Sequence, residues 1–260
     1  MDKREWTQLN LTGVSKSFDG RTSILDGIDL AIPRGSFMCV LGPSGSGKST
    51  LLDLVAGFEA PTSGRISYDE TEIHGPGPDR AVVFQDVVNS LFPWQTVFEN
   101  VEFGLKGKVS AEERAARVRA ALNTVGLSAH MHKFPAELSG GMKQRAQIAR
   151  GLVMDPAMLL MDEPFGALDA ITRRHLQLEL KTLWQRTGKT VLFITHDISE
   201  ALLLATDIVI LSRGPGARII ARFRRDEIPS DGPADPRYAQ AYRDIELAIE
   251  NQKSAESVPV

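Results

Sequence analysis

Cysteine occurs once in the 260 residues, at Cys39. A lone thiol cannot close an internal disulfide, so nothing in the sequence calls for an oxidising compartment. An excess of one charge is lacking as well: 30 Lys and Arg face 33 Asp and Glu, for a formal net charge of -3. That balance argues against a binder of DNA or RNA, whose surface must be electropositive. Long apolar runs are missing. The longest, FMCVL, AMLLM and ALLLA, fall far short of the roughly 18 residues needed to cross a bilayer. The opening MDKREWTQLN has no apolar stretch and does not read as a secretory signal. There is no internal repeat and no low-complexity tract. The expectation is a soluble, cytoplasmic protein, for which any work at a membrane needs another chain to supply the membrane part.

What is present is ordinary globular material, 42% hydrophobic and 24% charged, enough to bury a core without metal or disulfides. Residues 7–18 and 24–32 alternate apolar and polar around Asp19-Gly20, which predicts antiparallel strands and a turn. SFMCVL (36–41), AVVFQ (81–85) and AMLLMD (157–162) are short continuous apolar runs, the pattern of strands buried on both faces. GRISYDETEI (64–73) reads as hairpin strand. Helices are expected at Lys48–Ala56, stopping at Gly57, and after a Ser110/Glu113 capping box. Another runs from Gly140 to about Met154, and one from Asp169 to Arg186 carries an apolar face of Leu176, Leu180, Leu183 and Trp184. Strands 190–195 and 207–211 flank a helix at 198–205. Alternation of strand and helix in the latter half implies a parallel sheet with crossover helices. The stretch after 225 is polar and ends in a peripheral helix near 237–252.

GPSGSGKST (42–50) fits G-x-x-x-x-G-K-[ST] between a buried strand and a helix. Glycines let successive backbone N–H groups turn inward on a phosphate, and the helix behind adds about half a positive charge. Lys48 is suited to the β- and γ-phosphates and Ser49 to Mg²⁺. Chance would match the four fixed positions in roughly one such chain per hundred, and the strand–loop–helix context lowers that further. MLLMDEP (158–164) sets Asp162 and Glu163 at the end of a buried strand, where ligands of open α/β sheets bind. Asp162 suits a Mg²⁺ partner and Glu163 a general base. Adjacent side chains on extended backbone point oppositely, which would give the two acids separate tasks. LSGGM (138–142) places Ser139, Gly140 and Gly141 before a helix, a second anion site that is weak alone and whose bland alternative is an ordinary N-cap.

Together, GPSGSGKST, Gln85, LSGGMKQR, MLLMDEP, GALD (166–169) and His196 after TVLFIT resemble, in that order, the nucleotide-binding domains of ABC transporters. The resemblance runs from about residue 8 to 220. It implies an α/β P-loop NTPase fold with a mixed sheet core, an antiparallel β subdomain and an α-helical subdomain at about 90–155. The ATPase domain would span 8–225, and 226–260 would be a polar C-terminal extension. ATP and Mg²⁺ are the implied cofactors. Gly42, Pro43, Ser44, Gly45, Ser46, Gly47, Lys48, Ser49 and Thr50 would hold the phosphates, and Phe18 would stack on adenine. Ser49, Gln85 and Asp162 would serve the metal. Glu163, His196 and Gln85 would form the catalytic set. In the family two copies pair head to tail, so Ser139, Gly140 and Gly141 would contact the γ-phosphate held by the second copy, with Asp169 across the interface. Two departures stand out: Met142 replaces the usual signature Gln, and Phe18 stands where many members have Tyr.

GPGPDRAVVFQD (75–86), LFPWQTVFENVEFGL (91–105) and LATDIVILSRGPGARI (204–219) are similar to the nitrate, sulfonate, taurine and bicarbonate branch of bacterial importers. That branch implies a membrane permease, a periplasmic binding protein, a peripheral place on the cytoplasmic face of the inner membrane, and no nucleic acid. Leu91, Phe92, Pro93 and Trp94 are candidates for the groove that receives the permease, with plain core packing as the alternative. One rival is a soluble ABC-type ATPase of DNA repair or translation, but the stretch between Gln85 and Leu138 has no room for a coiled-coil insertion. A non-hydrolysing nucleotide module is the other rival, and Glu163 and His196 argue against it. Cys39 and Trp184 read as core. His130, His132, Arg173 and Arg174 read as surface.

Overall fold

The structure is a computed structural model, and it describes residues 6–84, 90–166, 168–224, 226–228 and 232–254. It divides into two units, Met1–Gly77 with Thr190–Val260, and Pro78–Lys189.

The first unit begins with two antiparallel strands, β1 (Gln8–Ser17) and β2 (Ser23–Pro33), with Leu9 opposite Ile32 and Leu11 opposite Leu30. Their alternation buries one face, including Leu9, Val14, Ile28 and Ile32, as period-2 patterning requires. The turn between them is held by Asp19, whose Oδ1 accepts the N–H groups of Thr22 and Arg21. Those bonds pull the Asp19 carboxyl down to about 2, because they favour the ionised form. Strand β3 (Phe37–Leu41) is buried throughout, Cys39 included. A loop leads from it into helix α1 (Lys48–Ala56), which stops at Gly57. The expected strand at 64–73 is two: β4 (Ser63–Tyr68) and β5 (Thr71–Glu72), turning at Asp69 with φ 46. Together β2-β1-β4-β5 make the antiparallel sheet.

The second unit contains strand β6 (Arg80–Val83), helices α2 (Val97–Glu102), α3 (Ala111–Thr124) and α4 (Gly140–Leu152), strand β7 (Met158–Asp162) and helix α5 (Ala170–Thr187). Strands β6 and β7 pair in parallel, Val83 beside Met161. Sequence patterning missed α2. Its start is a full capping box between Thr96 and Glu99, a signal readable in TVFE. At α3 only half of the expected box forms. Ser110 accepts the Glu113 N–H, but the Glu113 carboxylate turns to Arg117 one helical turn on, a pairing that competes with the reach back to the cap. Leu91, Val97, Val101, Val118, Leu122 and Leu127 anchor a cluster at the centre of these helices. Each such buried side chain contributes roughly 1.5–3 kcal/mol, enough for this cluster to hold α2, α3 and α4 together. Leu91 therefore belongs to the core and not to a docking groove. Trp184 departs from expectation in the other direction, being only half-buried on α5. Arg173 is likewise not a free surface charge, since its Nη2 donates to the Leu168 carbonyl at 3.0 Å.

The chain returns to the first unit with strand β8 (Thr190–Ile194), helix α6 (Ile198–Leu204), strands β9 (Asp207–Leu211) and β10 (Ile219–Phe223), and helix α7 (Tyr238–Ser254). Strand order there is β10-β9-β3-β8. Strand β3 is parallel to both neighbours, with Val40 beside Ile194 and Leu41 beside Ile210, and β10 is antiparallel to β9. The mixed sheet is the expected one. Strand β10 was not anticipated, because its alternate residues are only partly buried. Helix α7 packs on α6 with Ile245 fully buried. No helix among the described residues is long and apolar enough to cross a membrane.

Candidate nucleotide site

Parallel register decides what gathers at the site. Strands β3, β8 and β9 run the same way, so the loops that follow them leave from one edge of the sheet. The first is the glycine-rich loop at 42–47. Gly45 and Gly47 adopt φ 79 and φ 81, left-handed values that suit glycine, and Gly47 is the residue from which α1 springs. Lys48 is only 8% exposed. Its ammonium folds back over the loop and donates to the carbonyls of Gly42 and Pro43, both at 2.9 Å. The Ser46 hydroxyl is buried and has no hydrogen-bond partner. A buried orphan hydroxyl is costly unless something polar completes it, and a phosphate oxygen fits that need. Ser44, Gly45 and Ser49 are exposed, while Pro43, Gly47 and Thr50 are partly so.

The loop after β8 carries His196, exposed, beside the buried Thr195. Thr195 N–H donates to the Val40 carbonyl at 3.2 Å, which ties this loop to the strand feeding the glycine-rich one. The loop after β9 was not foreseen as part of the site. A Cβ built on Gly214 would lie 2.6 Å from the Gly45 carbonyl oxygen, so only glycine permits this approach of one backbone to the other. Gly214→Ala is expected to displace the phosphate loop at an overpacking cost of about 1–3 kcal/mol, read as roughly 5–150-fold weaker ATP binding with folding retained. Fluorescence titration with a labelled ATP checks this, and unchanged affinity would show that the clash is absorbed elsewhere. Phe18 follows β1 directly and is 62% exposed, with Lys16 Nζ 4.8 Å from its ring centroid. A cation over one face leaves an aromatic platform open to a base.

In the second unit, the parallel pair β6/β7 likewise sends two segments out from one edge. Gln85, just after β6, lies outside the described residues. Asp162 closes β7, half-buried, and Glu163 follows with φ 40. The extended backbone on which strand alternation would set the two acids apart ends at Asp162, because Glu163 turns into the left-handed region. A non-glycine residue held there stores about 1–3 kcal/mol of strain, which clusters at functional sites. Ser139 is the N-cap of α4, its hydroxyl accepting the Met142 N–H at 3.3 Å. Gly140 is exposed and Gly141 buried. A Cβ on Gly141 would meet Thr172 at 3.0 Å, so the glycines also allow α4 to approach α5. Asp169 caps α5, accepting from Thr172 and Ile171. The Thr172 N–H, above all, holds its carboxyl below the usual range, keeping it ionised. His132 is exposed and His130 half-buried, and no group of three His, Cys, Asp or Glu suited to a metal exists among the described residues.

A parallel sheet edge carrying a glycine-rich strand–loop–helix with a buried lysine defines a P-loop nucleotide-binding protein. A model of the family described as ABC transporter matches residues 25–166. The taurine import ATP-binding protein TauB of Yersinia pestis bv. Antiqua is 49% identical over 209 residues, covering 80% of this chain and 81% of its own. The nitrate import ATP-binding protein NrtD of Synechococcus elongatus is 46% identical over 245 residues, covering 89% and 88%. Among solved structures, the dimeric bacterial ABC transporter cassette MJ0796 superposes with a TM-score of 0.71 at 33% identity, covering 84% of this chain and 98% of its own. The same cassette in a post-hydrolysis state bound to ADP and Pi gives 0.69. This chain belongs to the ABC transporter family, and is an ATPase whose hydrolysis is coupled to transport.

Proposed function

We propose that the chain is the ATP-hydrolysing subunit of a bacterial importer for a small anion of the taurine, aliphatic sulfonate or nitrate kind. Support for the cargo comes from relatives named for taurine and nitrate import. Two copies pair head to tail. Each ATP is held by residues 42–50 and Phe18 of one copy and capped by Ser139, Gly140 and Gly141 of the other, with Asp169 at their junction. The α4 terminus supplies N–H groups to the γ-phosphate, as an arginine finger does in other P-loop enzymes. Met142 leaves those N–H groups untouched. Glu163 polarises the attacking water and His196 meets the γ-phosphate. The donors proposed for Mg²⁺ are hard oxygens, from Ser49, Asp162 and Gln85. A sparse set suits this ion, which keeps several waters and takes its remaining ligands from phosphate. When bound, it neutralises charge on the β- and γ-phosphate oxygens.

The chain sits on the cytoplasmic face of the inner membrane through a permease, which a periplasmic binding protein serves from the other side. One observation carries the docking. Phe92, Trp94 and Phe103 form an aromatic cluster, with centroids 5.7 Å apart for Phe92–Trp94 and 4.7 Å for Phe92–Phe103, and Trp94 is 72% exposed. Asn100 clamps the loop beneath by bonding Phe92, Gln95 and Thr96 backbone groups. A rigid, exposed aromatic anchor is the kind of residue on which interfaces depend. Trp94→Glu is expected to abolish co-purification of the permease and uptake of labelled taurine or nitrate in vesicles, while ATP binding stays intact. Retained co-purification would refute docking at this loop. Absence of uptake of either anion by the unmodified complex would refute the cargo.

A further inference from the structure

The buried carboxylate of Glu200 has no role in the proposed hydrolysis. It is 6% exposed, and Thr195 is 1% exposed. A carboxyl group drawn out of water needs strong partners, and this one is at the third position of α6. An ordinary capping box would have Glu200 reach back to the N–H of the N-cap, Asp197. Here a hydroxyl is inserted. Asp197 N–H donates to Thr195 Oγ1 at 3.0 Å, and Thr195 Oγ1 donates to Glu200 Oε2 at 2.5 Å. The ring closes as Glu200 N–H donates to Asp197 Oδ1 at 3.2 Å.

His196 lies along the chain between two members of this ring. Both of its chain neighbours are pinned, Thr195 by its side chain and Asp197 by its backbone and side chain. Thr195 is also bonded to Val40 on β3, the strand that delivers the phosphate loop. A helix cap alone would be satisfied by Asp197, which accepts from both Ser199 and Glu200. The additional buried carboxylate is explained by a demand on the position of residue 196. Its location against β3 also shows in Cys39, whose thiol is pushed up by burial and then by Glu200.

We propose that Glu200, acting through the Thr195 hydroxyl, is a positioning residue that holds His196 at the distance from the phosphate loop that hydrolysis requires. The proposal rests on the reading of His196 as a γ-phosphate contact. Displacement of such a group by about 1 Å costs up to roughly a hundredfold in rate.

The test is ATP turnover and ATP affinity of the full chain. Thr195→Val, close in shape but without the hydroxyl, is expected to lower kcat by about tenfold to a hundredfold with ATP affinity within about threefold. Thr195→Ser restores the rate. Glu200→Gln keeps an acceptor oxygen and most of the rate, whereas Glu200→Ala matches Thr195→Val. If Glu200→Ala does not fold, the threonine pair carries the test by itself. On a His196→Ala background, neither substitution should reduce turnover further, because coupled residues are not additive. Normal turnover in Thr195→Val, or a full additional loss on that background, overturns the proposal while leaving His196 in its role. Near-normal turnover in His196→Ala alone overturns the reading of His196, and this proposal with it.

Discussion

Glu163→Gln should bind ATP as the unmodified chain does and hydrolyse it about 10²–10⁴-fold more slowly, the usual contribution of a positioned base. The reasoning starts from the backbone. Glu163 holds φ 40 directly after β7, in a tight turn closed by the Gly166 N–H on its carbonyl at 3.1 Å, with Pro164 and Phe165, the next residues of the turn, buried. Glutamine has nearly the same shape and the same backbone demands, so it preserves the turn and removes only the ionisable carboxylate. A loss of rate in this variant therefore reports chemistry and not folding. Phosphate release measures the rate. Size-exclusion chromatography with ATP should show an accumulated dimer, because the closed pair can no longer discharge its nucleotide. Turnover within a few-fold of normal would take Glu163 out of the role of base.

Lys48→Ala is expected to have the largest effect on binding. Lys48 is a buried cation whose ammonium is held against two loop carbonyls at 2.9 Å, a posture that keeps its positive charge at the glycine-rich loop. Truncating one side of a buried charge pair costs about 2–5 kcal/mol, on the order of a hundredfold or more in ATP affinity. The unmodified chain at a hundred times its dissociation constant gains about 2.7 kcal/mol of stability from the ligand, visible as a raised melting temperature. In Lys48→Ala that rise should vanish at the same ATP concentration. A full shift in the variant would show that the glycine-rich loop binds triphosphate without its lysine.

How much of this was legible in the chain depended on distance along it. The phosphate loop was legible because its residues are consecutive and their conformational demands are local: glycines at left-handed positions, a buried run before them, a helix former after them. The caps at Ser139 and Asp169 were legible for the same reason. Helix α2 carried a readable capping box that periodicity obscured, since six residues are too few to show a 3.6-residue period. Strand β10 escaped because one of its faces is only half-buried and the other, exposed face carries the apolar Ile220, so IIARF does not alternate apolar with polar even though its burial alternates.

Other features had no local signature. That Leu91 is core while Trp94 beside it projects into solvent depends on α2, α3 and α4 closing around one of them. The strained Glu163 followed an apolar strand that promised extended backbone. The approach of Gly214 to Gly45 joins positions far apart in sequence. By itself, then, the chain determined the local turns and caps that present the candidate side chains, because those depend on neighbours a few residues away. Tertiary structure alone decided which loops share an edge, since parallel pairing of β3 with β8 and β9 brings residues 42–47, 195–197 and 212–217 out on the same side. Strand register is set by burial across the whole sheet, and no short stretch of sequence contains it.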